Sequence, residues 1–80
     1  MTEQDIIDAG FERSNISAKE SGDKAYYYYT YDFTSSFGLI TPASYEVEDE
    51  WFVEVFEVPE IKIKDRVDLF DFIETINKHL

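Results

Sequence analysis

Side chains of the types that carry out catalysis or bind soft metals are rare in this 80-residue sequence. It contains one histidine, His79, which is the second-last residue, and no cysteine. A catalytic histidine needs a positioned partner and a cleft, and we expect the end of the chain to supply neither. Zinc sites are built mainly from cysteine and histidine. The sequence therefore predicts neither a histidine-based active site nor a zinc site.

Carboxylates are the abundant reactive groups, and they are densest in one short segment. Calcium prefers oxygen ligands, and the carboxylates that could in principle hold it are Glu46, Glu48, Asp49 and Glu50. The segment lacks the Asp-x-Asp-x-Asp-Gly spacing of a calcium loop. We therefore interpret it as a solvated acidic loop and predict no bound metal.

No other motif indicates an enzyme. Ser35 and Ser36 have no base or orienting acid at a recognisable spacing, and the three glycines are scattered rather than gathered in a phosphate-binding loop. A hydrolase built on carboxylates would need a close, buried pair in a cleft, which the sequence does not single out. We predict a protein that is not an enzyme and uses no cofactor.

The charge distribution indicates which partners the chain can bind. Eighteen acidic and seven basic residues give a formal net charge of −11, and no Lys or Arg occurs between Lys24 and Lys62. Tyrosine runs such as residues 26–29 can stack on RNA bases, but phosphate binding also requires clustered Lys or Arg. We expect no direct nucleic-acid binding and instead a basic protein partner. The alternative is that the charge only keeps the chain in solution.

Alternating apolar residues predict two central strands, residues 25–33 and 51–58. Alternate residues of a strand face opposite sides of a sheet, and aromatic and β-branched residues favour strands. The face that we expect to form the core beneath the C-terminal helix carries Tyr27, Tyr29, Tyr31 and Phe33. The opposite face leaves Tyr26 and Tyr28, beside Phe52 and Phe56 if the two strands are neighbours. The strands thus offer more aromatic surface than one core face requires.

Shorter strands are predicted on either side of these two. Residues 11–16 indicate an edge strand, and residues 37–41 and 61–64 indicate two further short strands. Pro59 and Glu60 predict the turn before the last strand. Residues 17–24 are interpreted as an exposed connection, and residues 42–50 as a loop or an irregular extension, between which the composition does not decide.

Two helices complete the prediction. Thr2 can cap a short N-terminal helix that ends at Gly10, and Asp65 can cap a C-terminal one. The apolar residues of the C-terminal helix recur at helical spacing: Leu69, Phe70, Ile73, Ile76 and Leu80. The predicted fold class is α+β: a short N-terminal helix, an antiparallel β-meander of four to five strands, and a C-terminal amphipathic helix packed on one sheet face.

Length and hydropathy suggest the size and the compartment. Eighty residues predict one domain, residues 1–80. No apolar run approaches the roughly 18 residues that a membrane span needs, and the acidic start is unlike a signal peptide. We therefore predict a cytoplasmic protein without membrane contact.

The order of these elements resembles a broad class of small phage and prophage proteins of unknown function. The resemblance is carried by Ile6-Ile7, Gly10-Phe11, residues 26–31, Leu39-Ile40, residues 51–55, residues 61–63 and residues 68–76. It implies a phage or prophage origin and carries no catalytic or binding residues.

The sequence thus predicts a non-enzymatic interaction protein that binds a basic partner through an acidic, aromatic surface. One version is an inhibitor of phage origin that mimics nucleic-acid charge. The predicted partner-binding residues are Tyr26, Tyr28, Phe52, Glu54, Phe56, Glu46, Glu48, Asp49 and Glu50. The alternative is a structural or assembly component that forms a homodimer through the aromatic sheet face.

Overall fold

A five-stranded antiparallel sheet forms the centre of the computed structural model, which describes all 80 residues. Its strands are β1 (Glu12–Ile16), β2 (Tyr26–Thr34), β3 (Phe37–Ile40), β4 (Val53–Val55) and β5 (Val58–Ile63). The helices are α1 (Glu3–Asp8), α2 (Ala18–Ser21) and α3 (Arg66–Lys78), with a 3-10 turn at Ser44–Glu46. The strands lie side by side in chain order. The predicted α+β meander with a helix at either end is therefore confirmed.

One face of the sheet carries the core. The buried apolar residues come from α1, α3 and the inward side of the strands: Met1, Ile6, Phe11, Tyr29, Leu39, Val53, Val55, Ile63 and Leu69. Ile6 of α1 and Leu69 of α3 are fully buried, at 0 % exposure. Both helices therefore pack on the same face, and we call the other side of the sheet the open face.

The two packed helices begin at the residues that the sequence predicts. The Thr2 side chain accepts the Asp5 N–H, and the Asp5 carboxylate accepts the Thr2 N–H, which forms a capping box at α1. Asp65 accepts the N–H groups of Val67 and Asp68 at the start of α3. An ion pair links the two helices, since the Arg66 guanidinium in α3 lies 2.7 Å from the Asp5 carboxylate in α1.

The predicted strand over residues 51–58 is interrupted, and its prediction as one continuous strand is wrong. β4 ends at Val55, Phe56 and Glu57 form a two-residue turn, and β5 begins at Val58. The turn predicted at Pro59 and Glu60 is wrong as well, since both residues lie within β5. Proline is tolerated there because β5 is an edge strand and need not donate on its outer side.

The two connections predicted without regular structure each contain a short turn of helix. α2 is capped by Ser17 and Glu20 in a second capping box, and it buries no residue. The 3-10 turn holds Ser44 close to β2, where the Ser44 hydroxyl accepts the Tyr27 N–H. The Thr41 hydroxyl accepts the Tyr29 N–H in the same way, so side chains continue the ladder where β3 has ended.

The core tyrosines are covered by both α1 and α3. The sequence predicted that the C-terminal helix alone would cover them, and that prediction is wrong. Tyr27 and Tyr29 donate from their hydroxyls to Glu3 of α1. Tyr31 accepts from Asn77 of α3, and the ring of Phe33 lies 6.0 Å from that of Phe72 in α3. None of the helices combines the length and apolar character needed to cross a membrane.

Candidate interaction surface

The register of the strands determines which side chains share the open face. Thr30, Ile40, Glu54 and Lys62 form one row across four strands. Ser14 pairs with Tyr28 and Glu12 pairs with Thr30 on the same side. No helix packs over this row, and Tyr28, Ile40 and Glu54 are each partly exposed.

A concavity lies on the open face where the β2–β3 and β4–β5 hairpins end. Its volume is about 560 Å³, and Tyr28, Gly38, Ile40 and Phe56 are among its lining residues. The pocket is also lined by four hydroxyl-bearing residues, Ser14, Thr30, Ser35 and Ser36, and by Asp32 and Glu57. We call it the hairpin pocket. It combines aromatic walls with acceptors, and no Lys or Arg lines it.

Gly38 keeps the hairpin pocket open. A Cβ at this position would lie 2.8 Å from the Tyr31 carbonyl oxygen and 2.9 Å from Asp32 Oδ1. Its partner in the β2–β3 ladder is Asp32, which lies on the same face. Any side chain at Gly38 would therefore strike the backbone of β2 as well as a carboxylate at the pocket.

The β4–β5 turn places an aromatic ring beside that glycine. Phe56 donates its N–H to the Gly38 carbonyl at 3.0 Å, yet the residue remains 54 % exposed. Glu57 follows with φ of 68°, a left-handed conformation that costs a non-glycine residue roughly 1 kcal/mol or more. Strained and exposed residues at a turn often mark a functional site.

The charge on the open face is predominantly negative. Its carboxylates include those of Glu12, Asp32, Glu54 and Glu57, and its ammonium groups include that of Lys62, with Lys64 in the same depression. Lys62 lies 3.5 Å from Glu54 and also donates to the Pro59 carbonyl. Asp32 and Glu57 make no ion pair within the chain, because the ion pairs of the chain use Glu54, Asp5 and Asp8.

The structure brings together only some of the predicted binding residues. Tyr28 and Phe56 both line the hairpin pocket, and β3 lies between their strands. The strands 25–33 and 51–58 are therefore not direct neighbours. Phe52 lies in a separate depression of about 280 Å³ with Lys62. Tyr26 packs edge-on against Tyr45, with ring centroids 5.3 Å apart.

The acidic segment lies outside the hairpin pocket. Glu46 ends the 3-10 turn, and Glu48, Asp49 and Glu50 follow it as exposed residues. The structure contains no group of three or more His, Asp or Glu side chains that could hold a metal ion. His79 is the C-cap residue of α3 and is exposed.

A second polar cluster, beneath α1, has a structural explanation. Glu3 accepts the Tyr29 hydroxyl at 2.6 Å and the Tyr27 hydroxyl at 3.3 Å. Burial is the main cause and the hydrogen bond to Glu3 the next, and together they raise the pKa of Tyr29 to about 12. Burial and the nearby Glu3 charge also raise the pKa of Tyr27. Both hydroxyls therefore stay protonated and hold α1 on the sheet. A tyrosine with a raised pKa is a poor base at neutral pH.

Several residues of the hairpin pocket were not among the predicted binding residues: Ser14, Thr30, Asp32, Gly38, Ile40 and Glu57. One sequence signal could have found two of them. Asp32 and Gly38 lie near the facing ends of the predicted strands 25–33 and 37–41, and a hairpin there places them opposite each other on the same face as Tyr28. Glu57 carried no such signal, because its turn was predicted as strand.

Comparison with protein-family models, with curated proteins and with solved structures gives no match for this chain. A function for this chain is therefore inferred from the geometry and charge of the open face.

Proposed function

We propose that this chain is a non-enzymatic binding protein whose open face docks a basic protein partner. The observation that carries the proposal is the hairpin pocket, an aromatic concavity on a sheet face that no helix covers, bordered by two carboxylates without an ion pair. Interfaces typically combine a partly apolar, aromatic centre with a polar rim, and exposed aromatic concavities on small proteins often bind partners.

Charge favours a basic partner over a second copy of the chain. A dimer through the open face would bring the carboxylates of Asp32 and Glu57 toward those of the other copy. Like charges placed opposite each other at an interface cost several kcal/mol. A basic partner would instead be attracted over a distance of about 8–10 Å at physiological salt. An inhibitor that mimics nucleic-acid charge would also bind a basic partner, namely a nucleic-acid-binding protein.

Hexa-arginine amide is a suitable first probe, titrated into the isotope-labelled protein while backbone amide shifts are followed by NMR. We expect the largest shifts in β2, β3 and the β4–β5 turn, and weaker binding as salt is raised. The matched comparison is Phe56→Ala against Tyr45→Ala, since both residues are exposed aromatics, at 54 % and 59 %. Phe56→Ala should weaken binding several-fold and Tyr45→Ala should not.

The result that would overturn the proposal is a shift pattern that simply follows acidic residues. Shifts of equal size over residues 46–50 and the open face, unaffected by Phe56→Ala, would mean that the peptide only senses net charge. In that case the acidic composition would keep the chain dispersed without defining a binding site.

A further inference from the structure

We infer that the hairpin pocket takes a single arginine side chain from the basic partner, with the guanidinium between the Phe56 ring and the carboxylates of Asp32 and Glu57. This inference deepens the proposed function and depends on it. The pocket supplies the three kinds of contact that a guanidinium uses: an aromatic ring at Phe56, carboxylates at Asp32 and Glu57, and nearby serine and threonine residues. Tyr28 lines the pocket farther along β2.

The same combination occurs inside the chain, at Arg66. Its guanidinium lies 4.5 Å from the centroid of the Phe70 ring and 2.7 Å from the Asp5 carboxylate. Arg13 likewise lies 3.7 Å over the Tyr27 ring. Each of the chain's two arginines thus lies over an aromatic ring. In the hairpin pocket the rings and carboxylates have no cation from the chain.

Arginine fits the pocket better than lysine on chemical grounds. A guanidinium is planar, so it can stack on a ring while its edge donates to carboxylate and hydroxyl oxygens. The Asp32 carboxylate lies beside Gly38 on the open face, since a Cβ at Gly38 would lie 2.9 Å from Asp32 Oδ1. A lysine ammonium is a point charge and uses fewer of these contacts.

The test uses three capped pentapeptides, acetyl-Thr-Val-Xaa-Val-Thr-amide, in which Xaa is arginine, lysine or citrulline. Citrulline has nearly the shape of arginine and no charge. Binding is followed by amide shifts of the labelled full chain, with Gly38 and Phe56 as reporters. The arginine peptide should shift both reporters, the citrulline peptide should bind at least tenfold more weakly, and the lysine peptide should fall between them.

Matched variants locate the charge contact. Asp32→Asn and Glu48→Gln remove one charge each, but only Asp32 lines the pocket. Asp32→Asn should weaken binding of the arginine peptide about tenfold, whereas Glu48→Gln should change it less than twofold. Phe56→Ala should weaken binding several-fold, and its amide spectrum checks that the fold persists.

The outcomes separate this inference from the proposed function. Equal affinity for the arginine and citrulline peptides, or an Asp32→Asn variant that binds normally, overturns the arginine pocket. If hexa-arginine shifts the open face while the pentapeptide shifts neither reporter, the pocket assignment fails and the proposed function stands. If neither peptide shifts the open face, both fail.

Discussion

Raising the pH above 10 should destabilise this protein through Tyr29. The residue is 3 % exposed, and its hydroxyl donates to Glu3 Oε2 at 2.6 Å. Burial and the bond to Glu3 raise the pKa of Tyr29 from 10.0 to about 12. Because the folded chain keeps this proton to a higher pH than the unfolded chain, the contribution of Tyr29 is complete below pH 10. It is lost progressively as the pH rises from about 10 to 12.

The magnitude follows from the two pKa values. One pKa unit corresponds to about 1.4 kcal/mol, so ionisation of Tyr29 in the unfolded chain should lower the free energy of unfolding by about 1.4 kcal/mol at pH 11. The limiting loss above pH 12 is about 2.7 kcal/mol. Tyr27 adds a loss in the same direction, because its pKa is also raised. For a domain of this size such a loss is a substantial part of the total stability.

Urea unfolding at pH 8 and pH 11, followed by far-ultraviolet circular dichroism, measures the effect. Tyr29→Phe should be about 1 kcal/mol less stable than the unmodified protein at pH 8, because a hydrogen bond is lost. Between pH 8 and pH 11, its free energy of unfolding should fall by about 1.4 kcal/mol less than that of the unmodified protein. Tyr26→Phe is the control, since the tyrosine hydroxyls that hydrogen bond within the chain are those of Tyr27, Tyr29 and Tyr31. Equal losses in all three proteins would refute the reasoning.

Three further substitutions test the packing by urea or thermal unfolding. Leu69→Ala empties a fully buried position and should cost about 2–5 kcal/mol; a cost below about 1 kcal/mol would contradict the packing of α3 on the core. Glu57→Gly relieves φ of 68° and should raise the free energy of unfolding by about 1 kcal/mol, so a loss of stability would show that the turn is not strained. Gly38→Ala places a Cβ 2.8 Å from the Tyr31 carbonyl oxygen and should cost about 1–3 kcal/mol; an unchanged Tm would count against the close approach of β2 and β3.

Strand positions were predictable because the core takes an apolar residue at every second position. Tyr29, Val53 and Val55 are buried as the alternation indicates. The β4–β5 turn was not predictable in the same way. Phe56 and Glu57 are residues that favour neither turns nor left-handed φ, and the apolar alternation runs through them without a Gly, Asn or Asp. Here the pairing of β4 with β5 decides the turn, and that pairing is a tertiary effect.

The candidate site was predictable only where it depends on which face a residue occupies. Tyr28 and Phe56 were assigned to the face opposite the core, and they lie there. That both line one pocket depends on strand order, because β3 lies between β2 and β4. Alternation within each strand contains no information about which strand lies next to which. Glu57 was missed for a different reason, because its turn was predicted as strand.

The extra surface of the fold and the charge of the chain are connected. The accessible surface is 5463 Å², whereas a compact protein of this mass exposes about 5,000 Å². The radius of gyration is 12.9 Å, against about 11.6 Å for a compact chain of this length. Two short helices cover one sheet face, and the other stays open.

An aromatic face left uncovered would favour self-association, but a net charge of −11 opposes it. The same charge attracts a basic partner, so salt should act on the two processes in opposite directions. Screening should weaken docking of a basic peptide on the open face while it strengthens pairing between copies of the chain. Sedimentation and peptide titration, run over one series of salt concentrations, would show which of the two associations the face supports. Peptide binding that is indifferent to salt would exclude the electrostatic part of the argument.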